Sequence, residues 1–185
     1  MIGDALLDFQ QAHLAKAWGK YAGTVVDNQD PQQMGRVKVK CKAVLGDGEV
    51  WAMPCVPYAG KGVGFYFIPP KEAGVWVEFE GGDTSRAIWS GCYWAQGDLP
   101  SDAASPDIKL IVTDKASLKI DDSSGEVVIE NQNDASVTWD SDVKTEAGSS
   151  THTVGASGVV SESTPGKVEV GAAGVTINNG AFKVS

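Results

Sequence analysis

The 185-residue sequence lacks four features, and each absence argues against a class of protein. Its three cysteines are an odd number without the paired spacing of a disulfide or metal framework, so we interpret them as reduced core residues. Fifteen basic against 24 acidic residues leave a formal net charge of -9, which disfavours a general nucleic-acid binder. No apolar run approaches the roughly 18 residues of a membrane helix. The N-terminus, with Asp4 and Asp8, lacks the basic start of a secretory signal.

Aromatic residues are scarce in the second part of the chain. Residues 1–106 hold 13 of the 15 aromatics, whereas residues 107–185 hold only Trp139 and Phe182. Between the two parts, residues 97–106 have the Gly, Pro, Ser and Asp content of a linker. The composition therefore predicts a first part that builds its own core and a second part that, in isolation, has little to bury.

The first part predicts a short helix followed by a small barrel. In residues 4–18, within an N-terminal segment over 1–19, apolar residues recur at the spacing of an amphipathic helix. The pattern then changes to short strands separated by Gly- and Pro-containing turns. These strands are predicted at residues 21–26, 36–42, 50–56, 64–68, 74–80 and 87–94. Short, glycine-rich strands suit a small closed barrel, here over residues 20–96.

The second part predicts a stack of short strands. Its apolar residues come in pairs two positions apart, with turn-forming Gly, Ser, Asn and Pro between the pairs. Each strand thus has one apolar face and one polar face. The paired residues are Leu118, Ile120, Val127, Ile129, Val137, Trp139, Val168, Val170, Val175, Ile177, Phe182 and Val184.

A single copy of this stack would leave its apolar face uncovered and its strand edges open. Three copies wound around one axis would remove both problems, because the apolar side chains meet on the axis and strand edges pair between subunits. We therefore predict an all-β fold that ends in an intertwined trimeric β-helix, or β-prism, over residues 107–185. Roughly nine strands about 4.8 Å apart would give a shaft on the order of 40 Å. The alternative is a disordered acidic tail.

Five segments of the first part, in the same order, resemble a single family. They are Tyr21–Val39, Trp51–Pro54, Gly62–Phe65, Pro70–Asp83 and Gly91–Trp94. Together they resemble the baseplate assembly protein V and VgrG-like central spike family of contractile phage tails, type VI secretion and related injection particles. The resemblance implies an OB-fold barrel followed by a trimeric β-helix.

The same resemblance implies a structural function without catalysis. The homotrimer would sit on the trimeric baseplate hub protein and pierce the target cell envelope when the sheath contracts. It would belong to the virion tail baseplate, assembled in the host cytoplasm, or to the equivalent position in an injection particle. No large hub domain precedes the barrel, which favours a phage-like tail with a separate hub. The chain ends in strand pattern at Ser185, so we expect a blunt end capped by a separate PAAR-type tip protein.

One histidine could hold a ligand in such a trimer. His152 lies two residues before Val154, so both would face the axis, and three copies could then hold a metal ion or an anion. The alternative is a hydrogen-bonded or surface histidine. The His-x-His pair of the family's tips is absent, and no other cofactor is expected.

Two further functions stay open on the residues alone. A basic stripe on one strand could bind nucleic acid, as some OB folds do, although that strand lacks aromatic stacking platforms. The stripe consists of Arg36, Lys38, Lys40 and Lys42. Glu78 and Glu80 could form the carboxylate pair of a cell-wall hydrolase, but residues 95–107 leave no room for a separate lysozyme domain. We therefore expect no nucleic-acid partner and no enzyme.

Overall fold

A computed structural model describes residues 16–184, which form two compact units that divide between Asp98 and Leu99. The described residues are almost entirely strands and turns, which confirms the all-β prediction. Most of the predicted helix at residues 4–18 lies outside the described residues, and residues 16–18 are not helical. None of the helices within residues 16–184 has the length and apolar character of a membrane span.

The first unit is a small closed barrel, as the strand pattern predicted. Its strand order is β1-β2-β3-β7-β6, and β6 returns to pair with β1. All neighbouring strands are antiparallel except β3 and β7, which are parallel. The elements of this unit are β1 (Tyr21–Asp27), β2 (Val37–Lys40), α1 (Lys42–Leu45), β3 (Glu49–Pro54), β4 (Ala59–Gly60), β5 (Val63–Gly64), β6 (Gly74–Phe79) and β7 (Ala87–Tyr93).

Alternating residues of these strands fill the barrel. Val37 and Val39 of β2 and Val75 and Val77 of β6 are fully buried, and the Trp89 side chain of β7 is 4% exposed. Each fully buried Val or larger apolar side chain stabilises the fold by about 1.5–3 kcal/mol. The remaining buried residues of this core are Ala17, Val25, Ala52, Phe79 and Ala87.

Two predictions for the first unit were wrong. Of the strand predicted at 64–68, only Gly64 is paired, in a hairpin of β5 with β4, and Phe65–Phe67 lie outside any strand. Aromatic residues favour strands, but a strand also needs a neighbour with which to pair. The cysteines are not all core residues either, because Cys41 is buried while Cys55 and Cys92 are exposed. Burial raises the pKa of the Cys41 thiol.

The second unit is one antiparallel sheet in which every strand pairs with its neighbours in sequence. Its ten strands are β8 (Ile108–Val112), β9 (Ala116–Asp121), β10 (Glu126–Asn131), β11 (Ala135–Trp139), β12 (Val143–Ala147), β13 (Ser150–Gly155), β14 (Gly158–Ser163), β15 (Gly166–Gly171), β16 (Gly174–Ile177) and β17 (Phe182–Val184). At the usual spacing between strands, the sheet extends over about 45 Å.

The pairing in this sheet differs from the expected pairing between subunits. Neighbouring strands pair within one copy, because short turns join them and short turns favour antiparallel hairpins. Within residues 99–184, the outer edges of the sheet belong to β8 and β17. The sheet therefore satisfies most of its backbone hydrogen bonds by itself, and what it lacks is cover for one face.

Candidate functional site

One face of the ten-stranded sheet gathers the apolar residues of the second unit. Residues directly opposite each other on antiparallel strands point to the same face, so the register defines rows across the sheet. The first row is Ile111, Leu118, Ile129, Val137, Thr145, His152, Ser161, Val168, Ile177 and Phe182. The second row is Lys109, Ile120, Val127, Trp139, Val143, Val154, Val159, Val170, Val175 and Val184. We call these two rows the apolar face.

All twelve residues predicted for a trimer core lie on the apolar face, although their burial between copies stays a prediction. The pairs of apolar residues did not include three further apolar residues of the same face, which are Ile111, Val143 and Val159, whereas Val154 was expected there with His152. Each of these three has only polar residues two positions away along the chain, so it belongs to no apolar pair. The cross-strand register, rather than the pattern along the chain, identifies them.

No described residue of the second unit covers the apolar face. Ile129, Val143, Val154 and Val170 are 41–46% exposed, and no described side chain within residues 99–184 belongs to a buried core. Along β12, Val143, Thr145 and Ala147 are more exposed than the charged residues between them. Contiguous exposed apolar surface of this kind marks an interaction site.

From β9 onward the opposite face of the sheet is mostly polar and charged, which suits contact with water, although Ile108, Leu110 and Val112 of β8 also lie on it. Lys144 pairs with Glu146 at 2.8 Å, and Lys167 pairs with Glu169 at 3.0 Å. The hydrogen bond from Lys167 lowers the pKa of the Glu169 carboxyl and raises that of the lysine. Such exposed pairs add little to stability, but they keep this face soluble. The two faces of the sheet therefore differ sharply in chemistry.

Polar residues interrupt the apolar face at strands β12 to β14. Thr145, His152 and Ser161 are consecutive partners in the first row, and we call them the polar layer. His152 Nδ1 lies 2.7 Å from Ser161 Oγ, and the Ser150 hydroxyl donates to Ser163 Oγ at 2.8 Å. His152 therefore lies on the same face as the predicted core residues, and it has a hydrogen-bond partner there.

In the barrel, two of the four residues of the basic stripe form ion pairs with carboxylates. Arg36 Nη2 lies 2.7 Å from Asp30 Oδ1, and Lys38 Nζ lies 3.1 Å from Glu49 Oε2. The Arg36 guanidinium also lies 5.4 Å from the centre of the Trp51 ring. Lys40 and Lys42, the other two cations of the stripe, are exposed. Paired cations have less charge to offer phosphate, so this geometry gives little support to nucleic-acid binding.

Asp30 organises the loop between β1 and β2. Its carboxylate accepts hydrogen bonds from the backbone N–H groups of Gln32, Met34 and Arg36 and from the Arg36 guanidinium. The guanidinium bond is the main reason that the pKa of Asp30 is held well below its usual range. The ionised carboxylate is therefore the form that stabilises this loop.

The lowered pKa of Asp30 predicts a pH dependence. Its contribution to stability is fully present above the pKa of an unfolded aspartate, about 3.9, and is lost as pH falls towards the lower folded value. We expect Asp30→Asn to lower the free energy of unfolding at pH 7 and to flatten its fall between about pH 5 and pH 2. Urea unfolding at several pH values measures this. Asp47→Asn, which changes an exposed carboxylate, is the control, and equal effects of both variants would contradict the assignment.

A second uncovered apolar surface surrounds the β4–β5 hairpin. Phe65, Tyr66 and Phe67 are 55%, 79% and 60% exposed. Beside them lies an open cavity of about 550 Å³, whose lining includes Met34 and Val56. An apolar surface of this kind is typical of a protein–protein contact.

The closed five-stranded barrel is of the OB type, in which a short barrel closes through one parallel pair of strands. Residues 21–94 match the family model described as the Type VI secretion system/phage-baseplate injector OB domain, and this match covers all seven strands of the first unit. No curated protein matches the chain. The match indicates a structural role related to a baseplate and a location in a virion tail or an equivalent particle.

The family of the matched domain is structural rather than enzymatic. The carboxylate pair considered for hydrolysis is engaged elsewhere, because Glu78 lies 2.6 Å from Lys20 Nζ and Glu80 lies 2.6 Å from Arg86 Nη2. Each carboxylate is therefore held by its own cation, and the two do not form a pair facing a common substrate. The geometry therefore offers no support for a hydrolase at these residues.

Proposed function

We propose that the chain is the central spike of a contractile phage tail or related injection machine. Three copies form the spike, which pierces the target cell envelope when the sheath contracts. The observation that carries the proposal is the second unit, a ten-stranded sheet with one uncovered apolar face and one charged face. The match of the first unit to an injector OB domain gives this sheet its context.

The narrow apolar face favours three copies over two. Most strands contribute only two residues to it, two positions apart, which is a width of about 7 Å. Two such faces packed as a sandwich would leave the sides of both rows open to water. Three faces can close around an axis, so that each row contacts the other two copies and only the charged faces remain outside.

The proposed trimer has the physical properties that a piercing device needs. Strand pairing within each copy provides stiffness, and a dry core shared by three copies holds them together. The charged outer face limits adhesion to the barrier that is crossed. We assign the contact with the trimeric hub protein to the barrel, whose exposed Phe65–Phe67 segment offers an apolar surface. A PAAR-type tip protein would cover the far end of the shaft.

Light scattering on the purified chain tests the proposal. We expect the full chain to have three times its mass of 19.4 kDa, and the trimer to survive SDS without boiling. A truncated chain of residues 1–106 should remain folded with much weaker association, because it lacks the apolar face. A monomeric full chain, or a truncated chain that associates equally well, would contradict the proposal.

A further inference from the structure

We propose that three copies of His152 form a binding site for a divalent transition-metal ion on the axis of the trimer. In each copy, Ser161 is the positioning residue that orients the imidazole. The inference rests on the proposed function, because the site needs three copies. Within the described part of one copy, no group of three or more metal-ligating side chains occurs.

His152 lies in the first row of the apolar face, between Thr145 and Ser161. Along the first row, the polar layer lies between Val137 on one side and Val168 on the other. The second row is apolar at the same level, with Val154 beside His152 along β13. In the trimer, three imidazoles would therefore meet in an otherwise apolar core. The Nε2 atoms would be buried there without a partner, which is unfavourable, so this level needs a ligand or ordered water.

A hydrogen bond with Ser161 orients the imidazole ring of His152. When Nδ1 carries the proton and donates it to Ser161 Oγ, 2.7 Å away, the lone pair of Nε2 is left for a ligand. Metal-binding histidines show this arrangement, in which a hydrogen bond at one ring nitrogen fixes the tautomer and the orientation of the ring. Three Nε2 atoms and a water molecule make the four-coordinate set of Zn²⁺ or Co²⁺.

The charged residues of the three strands around His152 lie away from the polar layer. In β12, β13 and β14, the charged residues Lys144, Glu146 and Glu162 belong to the opposite face of the sheet. The polar layer therefore offers imidazole nitrogens and hydroxyls, and no lysine or arginine of these three strands lies on the same face to favour an anion. Imidazole nitrogen binds Zn²⁺ and its neighbours in the first transition series well. A cation is the better occupant of this level.

Cobalt binding to the full chain tests the site. The protein is stripped of metal with EDTA and titrated with Co²⁺, whose visible absorption reports four-coordinate binding. We expect one Co²⁺ per three chains, and a rise of the melting temperature on loading. His152→Ala should remove this binding. Ser161→Ala should weaken it by about 10–100-fold while leaving the spectrum of the loaded site recognisable, because Ser161 orients the ligand without touching the metal.

The other histidine of the chain provides the matched control. His13→Ala removes the same side chain from a different position and should leave cobalt binding unchanged. His152→Asn serves as a second variant if His152→Ala weakens assembly, because the amide can keep a hydrogen bond to Ser161 without providing an imidazole.

Light scattering on the same samples separates the two proposals. The metal site is overturned, and the spike left intact, if the trimer binds no Co²⁺. The same holds if the His152→Asn variant binds Co²⁺ as well as the unchanged chain does, or if the His13→Ala variant loses Co²⁺ binding. A chain that is not a trimer overturns the spike, and the shared site is lost with it. A trimer with one Co²⁺ per three chains, lost only with His152, supports both.

Discussion

We expect Val127→Asp to prevent formation of the proposed trimer and Val128→Asp to leave it intact. The two valines are neighbours in β10 and are both half-buried within one copy. Val127 lies on the apolar face, opposite Ile120 and Trp139, whereas Val128 lies on the charged face, opposite Lys119 and Thr138. The same substitution therefore places its charge either in the shared core or in water.

The expected difference between these variants is large. A carboxylate buried without a partner costs about 3–5 kcal/mol, and the trimer would contain three such groups. At position 128, the new carboxylate can instead approach Lys119 and remain hydrated. Light scattering and SDS resistance measure the outcome. Equal behaviour of the two variants would show that the apolar face is not the surface that holds the copies together.

The barrel provides the second large effect. We expect Trp89→Ala to lower the free energy of unfolding of the barrel by about 3–5 kcal/mol. The Trp89 ring is 4% exposed within the core, and its Nε1–H donates to the Gly35 carbonyl at 3.4 Å. Trp94→Ala removes the same side chain where it is 66% exposed, and should change stability by no more than about 0.5 kcal/mol.

Urea unfolding followed by circular dichroism compares the two tryptophan variants. This readout does not depend on tryptophan fluorescence, which both substitutions would change. A Trp94→Ala variant as unstable as Trp89→Ala would indicate that the exposed ring is covered in the assembled protein. A stable Trp89→Ala variant would contradict the description of the barrel core.

The sequence predicted the barrel where alternation was strict and failed where it was not. In β2, valines alternate with cations, and the structure buries Val37 and Val39. The segment Phe65–Phe67 is as apolar as a strand, but it has no neighbouring strand and stays exposed. Pairing is a property of the fold rather than of a segment, so composition alone could not show this difference.

The sequence also predicted only part of the candidate site. Apolar residues two positions apart identified twelve members of the apolar face, because a strand exposes alternate residues to the same side. No pattern in the sequence identifies Ser161 as part of the site, because serine is common on solvent faces and in turns. Its role depends on the register that brings it opposite His152. That register follows from turn geometry across several hairpins, which no single segment contains.

In the proposed trimer, the polar layer would also determine how the three copies align. Valine and isoleucine recur at almost every level of the apolar face, so copies displaced along the axis by two strands would lose little apolar contact. Such a displacement would set His152 of one copy against valines of another and leave its hydrogen-bonding atoms unpaired. The polar layer would thus select a single alignment of the proposed trimer, as a lone asparagine does in a coiled coil. Displaced copies would leave apolar ends uncovered and would appear in light scattering as masses above that of three chains.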